Sequence, residues 1–364
     1  MDLELSDEQV WIEESVHTLL DRHWPPAQDA WRAGAAERAR LWKSLVEFGL
    51  LSGAGGDLGA IELCLAARAI GAHLGSAPLL GSVAVRYALT PDAAELPAAF
   101  DAVLEGDSRL SIALLEPGGG WSVSSTRATV ESNRLAGTKA AVEHAADADY
   151  LAVVALVDGE PGLALVRPEA TGVELTPHAG LDETVPLTRV TFADAAVEAV
   201  VDHGLAEPII ERLVSVGGLL AAAEAVGAAT GIFGEALRYA SERRQFGRTI
   251  GSNQALRHLM ADLHVRQASG WSTTLFAAAA LDDGMLGARQ TASVAKAYVS
   301  RAARAVAHGS MQVFGGIAFT EEHPAHRFLR RIIVREQQFG DAAHHERELG
   351  RSLAAAALTE RVTA

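Results

Sequence analysis

The amino-acid sequence predicts a multidomain α+β protein in which a β domain lies between two helical domains. Three observations favour this class. Apolar residues recur with helical spacing before about residue 108, they alternate with a period of two from there to about residue 201, and helical spacing returns from about residue 207. A chain of 364 residues also exceeds the size at which one hydrophobic core usually keeps growing. We therefore expect domains at residues 1–108, 109–204 and 205–364.

The first domain is predicted to consist of short helices. Ser6 is a typical N-cap, and the helix after it ends at Trp24, which two prolines follow. Further helices are expected near residues 37–48, 58–74 and 78–89. The glycine-rich residues 49–56 lack the preceding strand and the Lys-Ser/Thr ending of a phosphate-binding loop, so they predict a turn.

The middle domain is predicted to be a compact, barrel-like β domain, and the last a bundle of four helices. Strand patterns cover residues 110–114, 123–130, 150–156, 163–166 and 188–192, with Gly, Pro, Asp and Asn between them. Helical patterns cover residues 207–241, 253–282, 289–314 and 322–357. Each is long enough to cross an antiparallel bundle.

Composition excludes several functional classes. The formal charge is −15, from 31 Lys+Arg and 46 Asp+Glu, which argues against nucleic-acid or anionic-membrane binding by bulk electrostatics. Cys64 is the single cysteine, so disulfide frameworks and cysteine-based zinc sites are excluded, and its apolar neighbours predict a buried thiol.

Two segments bear on the location of the protein. Residues 213–233 are nearly apolar over the length that spans a bilayer, but Glu224 lies among them, which favours a buried helix of a soluble protein. Residues 1–9 are acidic and lack a cationic and an apolar region, so no secretory signal is expected. A cytoplasmic protein with no membrane or nucleic-acid partner is the prediction.

A basic and aromatic motif lies between two long helical patterns. Arg243 and Arg244 are followed by Gln245, Phe246 and Gly247. Guanidinium groups form paired hydrogen bonds with phosphate, and an aromatic side chain either contacts a ligand ring or fills a core. From the residues alone, Arg243 is a phosphate ligand or one partner of a surface salt bridge with a carboxylate one turn away. Phe246 is a flavin contact or a core aromatic at a helix end.

A second motif ends the third helical pattern of the last domain. Gln312 is followed by the adjacent glycines Gly315 and Gly316. Without a Cβ, main-chain N–H groups at such glycines approach a ribose or phosphate closely. Together the two motifs have the residue types of half a dinucleotide site.

The order of the domains and these motifs resemble the acyl-CoA dehydrogenase family over essentially the whole chain. Residues 239–254 resemble the family's "YA-x-x-R-x-x-FG" region, and residues 312–320 resemble "Q-x-x-GG-x-G", with Ala318 in place of the last glycine. In the family, these motifs contact the FAD of the neighbouring subunit. The resemblance therefore implies six cofactor-binding residues: Arg243, Gln245, Phe246, Gln312, Gly315 and Gly316.

The chain departs from the family where the flavin ring binds. The family's "T-E-P-x-x-G-S-D" has Thr, Ser and Asp at the positions of Leu115, Trp121 and Ser122. Its "G-x-K-x-W-I-T" has Trp and Thr at the positions of Ala141 and Glu143. A carboxylate at the edge of a flavin opposes the negative charge of the reduced ring. The ring half of the site is therefore predicted to be lost.

The family's catalytic base is also missing. Removal of the α-proton of a CoA thioester needs a carboxylate, but the two positions that the family uses are occupied by Phe339 and Gly217. Glu336 and Asp341 are nearby substitutes, although an exposed helix charge is the more ordinary role for each. Glu211 lies six residues from Gly217 and is therefore a weak candidate for the base. No Ser or Cys in a nucleophile-elbow setting accompanies the histidines, and the histidines lack the spacing of metal ligands. No catalytic or metal-binding residue is therefore assigned.

This pattern resembles one kind of family member. Some actinobacterial acyl-CoA dehydrogenases that degrade steroid side chains are α2β2 heterotetramers in which one subunit carries the base and the flavin pocket. The resemblance implies that this chain is the other subunit, serving an FAD-dependent complex that oxidises a bulky acyl-CoA and passes electrons to an electron-transfer flavoprotein. The alternatives are an autonomous homo-oligomeric dehydrogenase that uses Glu336 or Asp341, and a flavin-free scaffold.

Overall fold

The computed structural model describes residues 4–105 and 108–363, with side chains up to residue 355. The helices are α1 Asp7–His23, α2 Ala35–Glu47, α3 Ala60–Ala72, α4 Leu79–Leu89, α5 Asp101–Leu104, α6 His203–Glu242, α7 Gln254–Asp282, α8 Ala288–Phe314, α9 Ala325–Gln337 and α10 Ala342–Thr363. The strands are β1 Leu110–Ala113, β2 Thr129–Glu131, β3 Arg134–Glu143, β4 Tyr150–Val157, β5 Glu160–Val166, β6 Val173–His178, β7 Leu187–Ala196, β8 Ala199–Val201, β9 Arg244–Gln245 and β10 Arg248–Thr249. The predicted α+β class, with helical N- and C-terminal parts around a sheet domain, is confirmed.

Two compact units form within the chain. The bundle unit contains residues 4–11, Cys64–Leu74 and the chain from Gly218 onward. The sheet unit contains Ile12–Leu63 and Gly75–Gly217. The boundaries after residues 108 and 204 stay a prediction.

The sheet unit is built on one mixed sheet. Its strand order is β6-β7-β3-β2-β4-β5-β8, and β1 also pairs with β4. Strands β1 and β2 run parallel to β4, whereas the other neighbours are antiparallel. One face buries small and β-branched side chains such as Val153, Ala164 and Val190 together with Phe192. This packing holds the ends of β1 and β3 in place.

The bundle unit is built around α6, which contacts α3 very closely. The helices meet at glycines, because a Cβ on Gly71 would lie 2.0 Å from the Glu224 carbonyl oxygen, and one on Gly227 would lie 1.9 Å from the Arg68 carbonyl oxygen. The Glu224 side chain instead accepts from Arg331 (2.6 Å) and lies 3.0 Å from Nε of Arg335. This buried ion cluster ties α6 to α9.

Helix α6 is long and apolar enough to cross a membrane by length and composition, with a mean hydropathy of 1.6 over its most apolar window. In this fold 83% of that window is buried inside the protein. Glu224 lies in the same stretch and is neutralised by the two arginines. These features are those of a core helix, as the sequence predicts.

Several predicted element boundaries hold. Ser6 caps α1, since its Oγ accepts from the Gln9 main-chain N–H at 3.2 Å while the Gln9 side chain accepts from the Ser6 N–H. Asn253 caps α7 in the same way through the Ala255 N–H. Cys64 is a buried free thiol, and residues 49–56 form a turn region in which Gly49 has a φ of +93°.

Two predicted elements are wrong. Residues 123–130 form a 3-10 turn at Val123–Ser125 before β2, because the Ser125 hydroxyl donates to the Ser122 carbonyl at 2.6 Å and so competes with strand pairing. Residues 322–357 form two helices instead of one. The break lies at Phe339 and Gly340, whose φ values of +58° and +103° leave the helical region.

Candidate cofactor-binding site

The predicted basic motif forms a tight hairpin directly after α6. The Arg243 N–H donates to the Tyr239 carbonyl and its own carbonyl accepts from Ile250, both at 2.8 Å. Strands β9 and β10 then pair across Phe246 and Gly247, which have φ values of +52° and +81°. Two positive φ angles at the corner are typical of a type I′ turn, whose first corner position favours Asn, Asp or Gly over a bulky residue.

Phe246 is held in an unfavourable state by this turn. Its backbone is in the left-handed region and its side chain is 100% exposed. Both features cost free energy, and no packing within the described part of the chain offsets them. The interpretation of Phe246 as a core aromatic is therefore wrong, and the side chain is free to contact another molecule.

The Arg243 guanidinium also lies free at the surface. It makes no ion pair or hydrogen bond with any residue that the structure describes. The preceding residue, Glu242, lies instead 3.9 Å from the guanidinium group of Arg238, which also pairs with Glu235. Arg244 donates to the Gly247 carbonyl at 3.1 Å and braces the hairpin. The salt-bridge alternative for Arg243 is not what the chain forms.

The glycine motif lies open at the end of α8. Gly315 has a φ of +67°, a conformation that favours glycine. A Cβ added to Gly315 or Gly316 would meet no heavy atom of the described residues within 4 Å. Packing inside the chain therefore does not explain why both residues lack a side chain. Gln312, one turn earlier, is exposed.

An aromatic contact brings the two motifs to the same end of the bundle unit. Tyr239 lies one turn before Arg243, and Phe314 directly precedes Gly315. Their ring centroids are 5.4 Å apart, and Phe314 also contacts His323 at 4.3 Å. Burial lowers the pKa of His323 below its ordinary value, which keeps this cluster uncharged at neutral pH. Tyr239 and Phe314 lie within the family-like segments 239–254 and 312–320, but sequence reasoning gave them no role, because a contact between distant parts of the chain is not visible in the sequence.

The residues at this end fit the phosphate and ribose half of a dinucleotide. Arg243 offers an unpaired guanidinium fork, and Gly315 and Gly316 offer main chain without steric obstruction. Phe246 offers a fully exposed aromatic face. All four residues are exposed at the surface of the bundle unit.

The positions matched to the flavin ring lie in the sheet unit. The Ala140 N–H donates to the Leu115 carbonyl at 2.7 Å, which places residues 115 and 141 near each other. Ala141 has a φ of +49° at a bulge of β3. No hydroxyl group is present at residues 115, 121, 141 and 143. The side-chain types here lack the hydroxyl donors of the family motif.

A buried ion pair fixes this corner of the sheet unit. Lys139 donates to Glu116 at 2.7 Å, and Glu116 also accepts from the main-chain N–H of Arg127 and Ala128. Burial lowers the pKa of Lys139. Burial raises the pKa of Glu116, but the hydrogen bonds from Lys139 and the main chain outweigh it and lower that pKa overall. The sequence signal for the pair is Lys139 as the one charged residue between Leu135 and Val142 of β3.

The structure gives each candidate base a different environment. Phe339 is 2% exposed, and Gly217 is buried in α6. Glu336 is 8% exposed and forms an ion pair with Arg304, so its interpretation as an exposed helix charge is wrong. Asp341 accepts from the His344 N–H at 2.7 Å and caps α10. Both substitute carboxylates therefore have structural partners.

The residues that the structure describes contain no cluster of three or more His, Cys, Asp or Glu side chains that could hold a metal ion. Glu211 lies in the first part of α6 and is half-buried. The chemistry available to this site is thus binding through cations, main chain and aromatic faces.

Comparison with known proteins identifies the family. The fold is that of the acyl-CoA dehydrogenases. Residues 208–354 match the acyl-CoA dehydrogenase C-terminal domain. The acyl-CoA dehydrogenase IpdE2 of Mycobacterium tuberculosis is 30% identical over 340 residues, which cover 89% of this chain and 91% of the relative. The chain belongs to the acyl-CoA dehydrogenase family, whose members are oxidoreductases that bind FAD.

Two solved structures with similar folds are complexes of two different chains. A chain of the ChsE4-ChsE5 complex from Mycobacterium tuberculosis is 25% identical, with a TM-score of 0.84 and coverage of 97% of this chain and 99% of the other. A variant of the Tcur3481-Tcur3483 steroid ACAD is 26% identical, with a TM-score of 0.82 and coverage of 97% and 99%. Heteromeric and steroid-related proteins therefore occur among the similar structures.

Proposed function

We propose that this chain is the subunit of a heteromeric acyl-CoA dehydrogenase that completes a cofactor site housed in a catalytic partner. The observation that carries the proposal is the outward-facing, unpartnered state of Arg243, Phe246, Gly315 and Gly316. These residues have the chemistry of a binding site but no use within their own chain. A neighbouring subunit would bring them a ligand.

FAD fits this half-site and supplies the hydride acceptor of the reaction when it is bound. Arg243 would donate paired, charge-assisted hydrogen bonds to pyrophosphate oxygens. Gly315 and Gly316 would let main-chain N–H groups contact the ADP part, Gln312 and Gln245 would add amide hydrogen bonds, and Phe246 would cover the flavin side. The role of these residues is to bind and orient the cofactor.

The partner would supply the base, since this chain offers no free carboxylate at the family's positions. Phe339 and Gly217 cannot accept a proton, and Glu336 and Asp341 already have partners. The steroid-related complex among the similar structures supports a bulky, steroid-like CoA thioester as substrate of an α2β2 assembly. Such an assembly would be cytoplasmic and would pass its electrons to an electron-transfer flavoprotein.

The test is FAD retention in a complex reconstituted from this chain and the partner that co-purifies with it from the native host. Arg243→Ala removes the phosphate fork. Because a hydrogen bond to a charged group contributes about 1.5–3 kcal/mol, the Kd for FAD should rise about 10- to 150-fold. Isothermal titration of the apo complex with FAD measures it.

Arg238→Ala is the matched control, since Arg238 is an exposed arginine five residues earlier whose partners are Glu235 and Glu242. Its FAD affinity should equal that of the wild type. Unchanged affinity in Arg243→Ala would instead favour a scaffold that binds no flavin.

A further inference from the structure

A groove lies between the last turns of α6 and the first half of α7, within the bundle unit. It has a volume of about 700 Å³ and is open to solvent. Its apolar lining comes from Phe233, Leu237 and Ala240 of α6 and from Met260 and Ala261 of α7. Small-molecule sites typically have volumes of about 300–1,000 Å³ and a mostly apolar lining. The α6/α7 groove therefore has the size and surface of a ligand site.

Contacts within the chain define both ends of the groove. At one end the 3-10 turn Ile250–Ser252 packs directly on α6, because a Cβ on Gly251 would lie 2.8 Å from the Ala240 carbonyl oxygen. At the other end the rings of Phe233 and His264 stack, with centroids 6.3 Å apart and an angle of 21° between their planes. The groove is thus a built feature of the bundle unit.

The groove lies on a different face of α6 from the candidate cofactor site. The α6 residues that line it are 233, 237, 240 and 241, which share one helix face. Tyr239, whose ring contacts Phe314 beside the glycine motif, lies about 200° around the helix from Leu237. Neither Tyr239 nor Arg243 lines the groove. A ligand here would be additional to a ligand at the cofactor site.

Arg257 gives the groove a positive charge without an acidic partner. Among the described residues that line the groove, none is Asp or Glu. The guanidinium group is exposed, and its hydrogen bond within the described part of the chain is a long one, 3.4 Å to the Ser252 carbonyl. Arg257 also lies in the first turn of α7, where a cation opposes the helix dipole. Its remaining donors are therefore available to an anion.

The hydroxyl groups at the rim do not offer such donors. The Ser241 hydroxyl donates to the Arg238 carbonyl at 2.7 Å, and the Ser252 hydroxyl donates to the Thr249 carbonyl at 2.6 Å. Each hydroxyl has one hydrogen, which is already used. Polar recognition of a ligand thus depends on the Arg257 guanidinium, and the rest of the surface suits an apolar body.

We propose that the α6/α7 groove binds an apolar carboxylate, that is, an organic acid whose carboxylate pairs with Arg257 and whose long-chain or ring-bearing body covers Leu237 and Met260. One guanidinium fork neutralises one carboxylate, whereas a phosphate dianion would keep a net negative charge beside an apolar surface. The site belongs to the bundle unit alone and does not depend on the proposed partner or on FAD.

Fluorescence titration of the full chain with pyrenebutyrate, a ring-bearing carboxylate, tests the site. Binding should be saturable, with one probe per chain. Decanoate, a long-chain carboxylate, should displace the probe at lower concentration than decanol, which has the same chain length without the charge. Displacement by decanoate shows that the groove accepts a chain, and saturable binding of pyrenebutyrate that resists decanoate shows that it selects rings. FAD should not displace the probe.

Three variants separate the charge from the apolar surface. Arg257→Gln should raise the Kd of the carboxylate that binds about five- to tenfold, since a partly exposed ion pair is lost, and should leave the Kd of decanol unchanged. Ala261→Trp should abolish binding of both, because an exposed position of the lining gains a large side chain that fills the groove. Arg266→Gln removes an exposed arginine of α7 outside the groove and should behave as the wild type.

Four results would overturn the proposal: no saturable binding of either carboxylate, equal carboxylate affinity in Arg257→Gln and the wild type, retained binding in Ala261→Trp, or displacement of the probe by FAD. Repeating the titration at rising protein concentration tests another occupant. Binding per chain that falls as the concentration rises would show that a second copy of the chain covers the groove, and would also contradict a carboxylate site. Circular dichroism of each variant confirms that the helices are intact.

Discussion

Glu336 is the residue on which the choice between a supporting subunit and an autonomous enzyme depends most directly. It lies three residues before Phe339, it is nearly buried, and it pairs with Arg304. Its main-chain carbonyl also accepts from Lys296 at 2.8 Å. A general base needs a free lone pair within reach of the proton that it removes. Glu336 has its carboxylate directed to an arginine instead, so we expect a structural role.

Glu336→Gln should therefore leave kcat of the reconstituted complex within about twofold of the wild type, whereas loss of a general base typically costs about 10²- to 10⁴-fold. Steady-state oxidation of an acyl-CoA, with an artificial electron acceptor, measures this ratio. Asp341→Asn serves as a parallel variant at the other candidate. A hundredfold fall in kcat with unchanged FAD content in either variant would support the autonomous enzyme.

At the residue scale the sequence predicts types of side chain better than their partners. The motif around Arg243 predicts a cation near a helix end, and the structure has one. Helical spacing does indicate that Arg238 pairs with Glu235 and Glu242, which lie three residues before it and four residues after it. The sequence does not tell whether Arg243 finds a more distant partner. The full exposure of Phe246 could not be predicted from the sequence, since an aromatic residue at a helix end is more often buried.

Helix packing in the bundle unit depends on glycines that look interchangeable in the sequence. Gly227 and Gly234 lie seven residues apart in α6. A Cβ on Gly227 would lie 1.9 Å from the Arg68 carbonyl oxygen of α3, whereas one on Gly234 would meet no described atom within 4 Å. The first glycine permits the close approach of two helices, and the second is a helical glycine with free space beside it.

Gly227→Ala should lower the free energy of unfolding by about 1–3 kcal/mol or more, because the added methyl group overpacks a main-chain contact. Gly234→Ala should raise it by about 0.5–1 kcal/mol, because alanine has the higher helix propensity. Urea unfolding followed by circular dichroism compares the two variants with the wild type. Equal shifts of the same sign would contradict the close helix contact.

Elements with strong periodicity are predictable, and elements set by tertiary contacts are not. The bounds of α7 and α8 agree with the sequence pattern within one residue. Strand β3 is not readable from alternation because it contains Gly137, the buried Lys139 and a bulge. The break between α9 and α10 is also hidden, since it depends on main-chain carbonyls held by Lys296, about 40 residues earlier. Long-range contacts of this kind override local pattern.

At the scale of the whole molecule, an acidic chain carries one segment that is locally basic. The chain has a formal charge of −15, yet residues 243–261 contain Arg243, Arg244, Arg248 and Arg257 and no Asp or Glu. The side chains of Arg243 and Arg248 have no hydrogen-bond or ion-pair partner among the residues that the structure describes. A local cationic surface on an acidic protein attracts an anionic ligand while the remaining surface repels other polyanions. This distribution favours a phosphate-bearing cofactor over nucleic acid.

The same surface predicts what the chain does when it is alone. The residues proposed to bind phosphate are exposed, and the positions matched to the flavin ring lack the family's hydroxyl groups, so an isolated chain should hold FAD weakly. Visible absorption after gel filtration should show much less than one flavin per chain for the purified protein and a stoichiometric flavin for the complex with its partner. Raised salt should weaken FAD binding to the complex, because part of the attraction is electrostatic. A stoichiometric flavin on the isolated chain that is bleached by an acyl-CoA would contradict the half-site and establish an autonomous dehydrogenase.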